Sequence, residues 1–179
     1  MGVHLVTTKS VNFDDDLPDM MKASDPILGL INLARLKKVP LRKQYDSSNL
    51  ELTWSEINYV DSCLGRYKQV RRKFDFTDML ENFVTEGSNF CPNFDLCFVD
   101  EAQDLSPMQW DIAHLLDERS KRMYIAGDDD QAIYRWAGAD VDAFINFDGG
   151  SDTLSQSYRI PYSVHKVAEG IVKRIQRRV

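Results

Sequence analysis

Two clusters of carboxylates stand directly after short apolar runs in this chain of 179 residues. Their members are Asp100, Glu101 and Asp104 in the first cluster, and Asp128, Asp129 and Asp130 in the second. A carboxylate at the end of a strand can hold magnesium through water while a neighbouring carboxylate accepts a proton from an attacking water. For a single Asp-Glu pair, a solvated acidic loop would be the favoured interpretation. Two such clusters at strand ends considerably weaken that interpretation.

The elements that must position these carboxylates follow from the surrounding pattern. The apolar runs Leu96–Val99 and Arg122–Ala126 are too short for helices and predict buried strands. Between them, the segment Ser106–Gln109 combines a capping box with a proline at the first helical position, which predicts a helix through about Leu116. Strand, helix, strand is the pattern of a parallel sheet, whose ligand sites lie at the carboxyl ends of its strands. Thr153–Gln156 is a third strand candidate.

The first part of the chain is predicted to contain helices only. A cap and a proline at residues 25 and 26 start a helix that should end near Lys38, before Pro40. The capping box of Thr53 and Glu56 starts a long amphipathic helix whose apolar positions continue to Phe74. A further helix begins near Asp75, and the apolar spacing at residues 164–175 predicts a last one. The fold class is therefore α/β, with a helical N-terminal part.

Composition limits the classes of partner. Hydrophobic residues make up 43% and charged residues 28%, which is ordinary globular composition. The net charge of −6 argues against a general polyanion binder, so any contact with nucleic acid must be confined to a groove. No apolar stretch approaches the roughly 20 residues that a membrane helix needs, so no membrane partner is expected.

The predicted location is the cytoplasm. Met1–Ser10 has neither a basic region nor a sustained apolar core, so it does not resemble a secretory signal. The three cysteines are an odd number without a C-x-x-C pair, which favours reduced thiols over disulfides or a zinc site.

The residues around the two carboxylate clusters resemble motifs of superfamily 1 DNA helicases of the UvrD, Rep and PcrA type. Phe98–Asp104 (FVDEAQD) looks like the Walker B segment, and Gly127–Ala139 (GDDDQAIYRWAGA) is similar to motif III. Gln156–Arg159 (QSYR) is similar to motif IV, and Asp75–Leu80 (DFTDML) resembles the segment that leads from the inserted subdomain into the ATPase domain. One DE pair would be weak evidence, whereas these motifs in this order and spacing are a strong signal.

The resemblance implies a role in ATP hydrolysis for five residues. Asp100 would hold magnesium and help to bind the nucleotide, and Glu101 would activate the hydrolytic water. Gln131 would sense the γ-phosphate and pass its state to the segment that follows. Tyr158 would stack on adenine, and Arg159 would reach the γ-phosphate as an arginine finger.

The resemblance also implies a binding surface for single-stranded DNA. Tyr134 and Trp136 would offer aromatic faces to bases, which is stacking that tolerates any sequence. Large aromatic side chains are more often part of a core, so core packing is the alternative for Trp136. Arg135 either contacts a DNA phosphate or is a solvated loop arginine, and the sequence favours neither.

One part of the family pattern is absent from these residues. A P-loop needs G-x-x-x-x-G-K-[ST], and none of the nine glycines is followed by lysine. The resemblance therefore implies an internal fragment with a partial RecA-like (P-loop) parallel sheet flanked by helices. Residues 1–74 would be the helical part of the inserted subdomain, 75–150 the C-terminal half of the first motor domain, and 151–179 the start of the second.

The expected function is that of an ATP-dependent DNA helicase that moves along single-stranded DNA, with ATP and Mg²⁺ as cofactors. The remaining helicase domains would be partners, and the fragment alone is expected to be inactive. One alternative is a DNA-binding or regulatory module that keeps the fold without hydrolysis. Another is a metal-dependent nuclease, which could use the acidic clusters but would not require the residues of motifs III and IV. The oligomeric state is left open.

Overall fold

The structure is a computed structural model that describes residues 26–154 and 156–174. Its first part consists of four helices: α1 (Pro26–Leu36), α2 (Leu41–Asp46), α3 (Trp54–Arg71) and α4 (Phe76–Phe90). These helices confirm the predicted helical N-terminal part, although the predicted cap at residue 25 lies outside the described residues. Helix α1 packs against α3, α4 and the later helix at Pro107–Glu118.

Helix α3 begins where its capping box predicts. Thr53 Oγ1 accepts a hydrogen bond from the backbone N–H of Glu56, whose Oε2 accepts one from the backbone N–H of Thr53 at 2.8 Å. The helix ends at Arg71 because Arg72 adopts a left-handed conformation with φ of 50°. The apolar spacing that continues to Phe74 therefore overestimates its length, and Phe74 is exposed.

An ion-pair cluster joins α1, α3 and α4. Arg35 of α1 donates to Asp78 at 2.5 Å and to Glu81 at 2.7 Å, both on α4, and to Asp75 at 3.1 Å, at the α4 N-cap. Lys68 of α3 pairs with Asp78 at 2.9 Å and also with Asp75. Two cations and three carboxylates thus tie the start of α4, within the segment Asp75–Leu80, to the helices before it.

Partial burial raises the pKa of Asp78, but hydrogen bonds and nearby positive charges lower it by more. The backbone N–H of Asp75, the Lys68 ammonium and the Arg35 guanidinium together lower the pKa of this carboxyl to about 2. The same segment also caps its own helix, since Asp75 Oδ1 accepts from Asp78 N at 2.7 Å and Asp78 Oδ2 accepts from Asp75 N at 2.8 Å.

The second part contains the sheet. Its elements are β1 (Cys97–Val99), α5 (Pro107–Glu118), β2 (Met123–Ile125), α6 (Val141–Ile145) and α7 (Tyr162–Val172). The two strands are parallel, with Cys97, Phe98 and Val99 opposite Met123, Tyr124 and Ile125. The predicted strand, helix, strand unit and the α/β class are therefore confirmed, with strands slightly shorter than the apolar runs.

Only one face of this sheet is covered by described residues. Val99, Met123 and Ile125 pack against a core of Ala102, Trp110 and Ala113. On the opposite face Phe98 and Tyr124 are exposed and stack on each other, with ring centroids 5.3 Å apart.

The predicted third strand is wrong for the described residues. Thr153, Leu154 and Gln156 form no strand, and residue 155 lies outside the described part. Leu154 is 95% exposed. A strand is stable only when it pairs along an edge and buries a face, and this segment does neither. Helix α7 follows with four exposed apolar side chains: Tyr162, Val164, Val167 and Ile171.

Two observations bear on the compartment and on membranes. Cys63, Cys91 and Cys97 are all free thiols, of which Cys91 is buried and Cys63 is exposed. In the described part of the chain, no helix combines the length and apolar character needed to cross a bilayer.

Candidate functional site

The two carboxylate clusters lie side by side at the carboxyl ends of β1 and β2. Backbone hydrogen bonds hold the two loops together, since Ala126 N donates to Val99 O at 2.8 Å and Ala102 N donates to Ala126 O at 3.0 Å. Parallel pairing puts both strand ends at one edge, as the sequence predicts. The shared edge is therefore the centre of the candidate site.

Asp100 and Glu101 form the first half of this edge, and both are exposed. Asp100 Oδ1 accepts from the backbone N–H of Glu101 at 2.9 Å. Glu101 adopts a left-handed conformation with φ of 51°, which is unusual for a residue other than glycine. This conformation turns the chain sharply into the 3-10 turn Ala102–Asp104.

The donor set fits a magnesium ion that arrives with a nucleotide. Protein sites of this kind use one or two carboxylates, with water and substrate phosphates completing the octahedron. Asp100 Oδ2 makes no hydrogen bond within the described residues, so it is available to such an ion. Within the described ranges, no group of three or more His, Cys, Asp or Glu side chains could hold a metal by itself.

Asp104, the third carboxylate of the first cluster, is less exposed than Glu101. Its backbone N–H donates to Glu101 O at 3.0 Å, and its Oδ1 is buried without a hydrogen-bond partner among the described residues. Partial burial, and then the charge of Glu101, raise the pKa of Asp104. Of the first cluster, only Asp100 and Glu101 are exposed at the shared edge.

Gln103 is a site residue to which the sequence assigned no role. Its side chain is 1% exposed and lies between the two loops. Its Nε2 donates to Glu101 Oε2 at 2.7 Å, and its Oε1 accepts from the backbone N–H of Asp128 at 2.9 Å. The available signal was its place inside FVDEAQD, two residues after the glutamate.

Asp128 is exposed, and its side chain holds the loop that carries Gln131. Its Oδ1 accepts from Asp130 N at 3.1 Å and caps the 3-10 turn Asp129–Gln131. Its Oδ2 accepts from Gln131 Nε2 at 2.6 Å. The second acidic cluster therefore shapes the loop that carries Gln131, which is exposed at the same edge.

The aromatic pair Tyr134 and Trp136 follows on the next 3-10 turn, Arg135–Ala137. The ring centroids lie 6.4 Å apart, and Trp136 is 50% exposed. Arg135 is also exposed, and its Nη2 lies 3.5 Å from Asp142 Oδ1. Trp136 is thus half exposed rather than part of the core, and among the described residues the arginine side chain has one long, solvated ion pair.

Helix α1 approaches this aromatic turn closely at Gly138. Gly138 ends the turn with φ of 108°, and a Cβ at that position would lie 3.1 Å from Leu33 Cδ1 of α1. Glycine is required here both by the positive φ and by the close approach of Leu33. The helical part of the chain therefore contacts the segment that resembles motif III.

Tyr158 and Arg159 are not joined to the carboxylate loops. Tyr158 is 88% exposed, and Arg159 makes no hydrogen bond or ion pair within the described residues. The predicted adenine and γ-phosphate contacts of these residues stay predictions. The structure places Asp100 and Glu101 beside the loop that carries Gln131, and Gln103 joins the two loops.

Comparison with known proteins extends the likeness beyond these motifs. Residues 10–151 match the family described as UvrD/REP helicase N-terminal domain. The chain is 34% identical over 107 residues to the ATP-dependent DNA helicase PcrA of Leuconostoc citreum, which covers 57% of this chain and 14% of that protein. It is 31% identical over 123 residues to PcrA of Staphylococcus aureus, which covers 61% and 17% respectively.

The extent of these matches is informative in two ways. The family match begins at residue 10, well before the first motif recognised in the sequence at Asp75. The chain spans 14 to 17% of the length of the curated relatives it matches. Because the match includes both carboxylate loops and the aromatic turn, the chain belongs to the UvrD/REP helicase family.

Proposed function

We propose that this chain is part of an ATP-dependent DNA helicase and carries the hydrolytic carboxylates together with a surface for single-stranded DNA. One observation carries the proposal: the Asp100–Glu101 loop and the Gly127–Gln131 loop share one sheet edge, directly before the half-buried Tyr134 and the exposed Trp136. The relatives support it, because their names describe ATP-dependent DNA helicases. In the intact helicase, hydrolysis would drive movement along the strand.

The proposed reaction is an in-line attack of water on the γ-phosphate. Asp100 would bind the magnesium that accompanies ATP, and that ion would neutralise charge on the phosphate oxygens. Glu101 would accept the proton of the attacking water, after which ADP and phosphate leave. Gln131 would contact the γ-phosphate from the neighbouring loop. Tyr158 and Arg159 would approach the nucleotide as the proposed second motor domain closes.

DNA binding is proposed for the aromatic turn. Tyr134 and Trp136 would stack on bases of a single strand, and Arg135 would remain solvated or meet a phosphate. The turn follows Gln131 directly, and backbone bonds at 2.7 Å (Ile133 N to Gln131 O) and 2.9 Å (Ala137 N to Tyr134 O) hold it in place. A change at the γ-phosphate would therefore reach the DNA surface through a few residues.

The 179 residues alone are proposed to be inactive, because they contain no P-loop to cradle the phosphates. The domain ranges 1–74, 75–150 and 151–179 stay proposals, as does the cytoplasmic location. A DNA-binding or regulatory module without hydrolysis stays the alternative. For the nuclease alternative, the described residues offer no observation that is specific to it.

Glu101→Gln in the intact helicase tests the proposal. The amide keeps the shape of the side chain but cannot accept the proton, so ATP turnover should fall by roughly 100-fold or more while ATP still binds. Glu118→Gln, the same change at an exposed residue at the end of α5, is the matched control and should keep full turnover. Equal turnover in the two variants would contradict the assignment of Glu101.

A further inference from the structure

Gln103 is a buried amide whose two ends are both used. It is among the largest fully buried side chains, and the others, Ile57 and Val141, are apolar. Its partners fix its orientation, because the Asp128 N–H requires an acceptor and the Glu101 carboxylate requires a donor. A flipped amide would place its NH₂ group against the Asp128 N–H and its oxygen against the Glu101 carboxylate, so both contacts would be repulsive. The side chain therefore bridges the two loops in one orientation.

The bridge continues on both sides into a connected network. On one side it holds the carboxylate of Glu101. On the other, Asp128 accepts from Gln131 Nε2 at 2.6 Å, and Gln131 O accepts from Ile133 N at 2.7 Å. Hydrogen bonds, linked through the covalent bonds of Asp128 and Gln131, thus connect the proposed base to the residue before Tyr134.

The space around this bridge is closed. A Cβ on Gly127 would lie 2.7 Å from Gln103 Oε1 and 2.8 Å from Phe144 Cζ. Ala102, which precedes Gln103, is completely buried and is bonded to Ala126. Because the amide is buried and bonded to both loops, we expect a displacement of one loop to move the amide and with it the other loop.

We propose that Gln103 is a positioning residue that couples the carboxylate of Glu101 to the loop Gly127–Gln131. The effect of this coupling on hydrolysis rests on the proposed function, because Glu101 acts as the base only if that proposal holds. Coupling between two sites is reciprocal, so a change at the loop would also reposition the carboxylate. Binding of DNA at the aromatic turn would in this way affect the geometry of water activation.

Nuclear magnetic resonance of the 179-residue chain tests the coupling without ATP. Glu101→Ala should shift the backbone amide resonances of Asp128 and Gln131 in the otherwise unchanged chain. In Gln103→Met, which has a similar shape and no hydrogen bonds, Glu101→Ala should leave these resonances unmoved. Gln69→Met, the same change at an exposed residue of α3, should preserve the effect. The same shift in both backgrounds, or none in either, would overturn the proposal.

A second variant decides the question if Gln103→Met does not fold. Gln103→Leu lacks both the donor and the acceptor, and its branched apolar side chain fills much of the same volume. The response of the Asp128 resonance to Glu101→Ala should be lost in this variant as well. A retained response would overturn the coupling.

Turnover in the intact helicase tests what the coupling does. Gln103→Met should lower kcat by roughly 10- to 100-fold with little change in KM for ATP, because it misplaces the base without removing a substrate contact. Gln69→Met should match the unmodified protein. Full kcat in a folded Gln103→Met variant, with Glu101→Gln inactive, would overturn the role in hydrolysis. If the unmodified helicase hydrolyses no ATP, the proposed function fails, and the resonance experiment alone decides the coupling.

Discussion

Trp136 and Trp110 are close in sequence but have opposite surroundings. Trp110 is 3% exposed, and its Nε1 donates to Asp140 O at 3.1 Å. Trp136 has half of its surface exposed and a tyrosine ring beside it. Trp110 is therefore a core residue, and Trp136 is free to meet a ligand.

Trp136→Ala should weaken the binding of single-stranded DNA to the intact helicase by about 1 to 3 kcal/mol, because a base loses its stacking partner. Fluorescence anisotropy with a labelled oligonucleotide measures this. Tyr59→Ala removes an exposed aromatic of α3 outside the motifs and should leave binding unchanged.

Thermal unfolding of the same variants separates binding from packing. Trp110→Ala should cost about 3 to 5 kcal/mol of stability, as large core deletions do. Trp136→Ala should cost much less. If Trp136→Ala unfolds the protein while its folded fraction binds DNA normally, Trp136 is a packing residue after all.

Asp78 should make the stability of the chain depend on acidity. Its pKa is about 2 in the folded state against an ordinary 3.8, so its contribution is complete above pH 3.8. The contribution is lost as the pH falls from 3.8 through about 2, and is worth on the order of 2 kcal/mol. Urea unfolding of the 179-residue chain at several pH values in this window measures the loss.

Two asparagine variants isolate the effect of this carboxyl. Asp78→Asn removes the titrating group and keeps an oxygen for the cap, so the pH dependence should become weaker. Asp117→Asn changes an exposed carboxylate at the end of α5 and should keep the original dependence. Identical slopes for the two variants would contradict the role of the ion-pair cluster.

At the scale of elements, two glycines provide a test of the closed space between the loops. Gly127→Ala places a methyl group against Gln103 and Phe144 and should destabilise the chain by about 1 to 3 kcal/mol. Gly65→Ala lies in the interior of α3 with nothing within 4 Å, so it should stabilise by about 0.5 to 1 kcal/mol. Chemical denaturation of both variants measures the difference, and a neutral Gly127→Ala would show that the loops have room to separate.

The local signals in the sequence predicted the capped helices and both strands, but not the short helices α2 and α6. The capping boxes at Thr53 and Ser106 each begin a helix as predicted, because side chain and backbone satisfy each other within four residues. The helix expected near Asp75 also begins there, with a capping box that the structure adds. The strands at Cys97–Val99 and Met123–Ile125 were recognisable as short apolar runs, and their parallel pairing placed both carboxylate clusters at one edge.

Features that depend on long-range contacts could not be predicted. The bridge through Gln103 joins residues 25 positions apart, and no local pattern specifies its partner. The cluster of Arg35 with α4 likewise spans more than 40 residues. Thr153–Gln156 had the composition of a strand, but a strand also needs a neighbour, and the described residues provide none.

At the scale of the whole molecule, apolar surface remains open. The sheet exposes Phe98 and Tyr124, and α7 exposes the apolar side chains of residues 162–171. The described core of the sheet region is small, with Ala102, Trp110 and Ala113 at its centre. We expect the remaining helicase domains to cover these faces in the intact protein, and to supply the P-loop.

Phosphate release in the presence of single-stranded DNA, measured in parallel on the intact helicase and on the 179-residue chain, tests the central claim most directly. The intact helicase should hydrolyse ATP faster when DNA is added. The chain alone should release no phosphate, because its carboxylates lack a positioned substrate. Turnover by the chain alone near the enzyme median of about 10 per second, or no DNA-dependent turnover by the intact protein, would contradict the account.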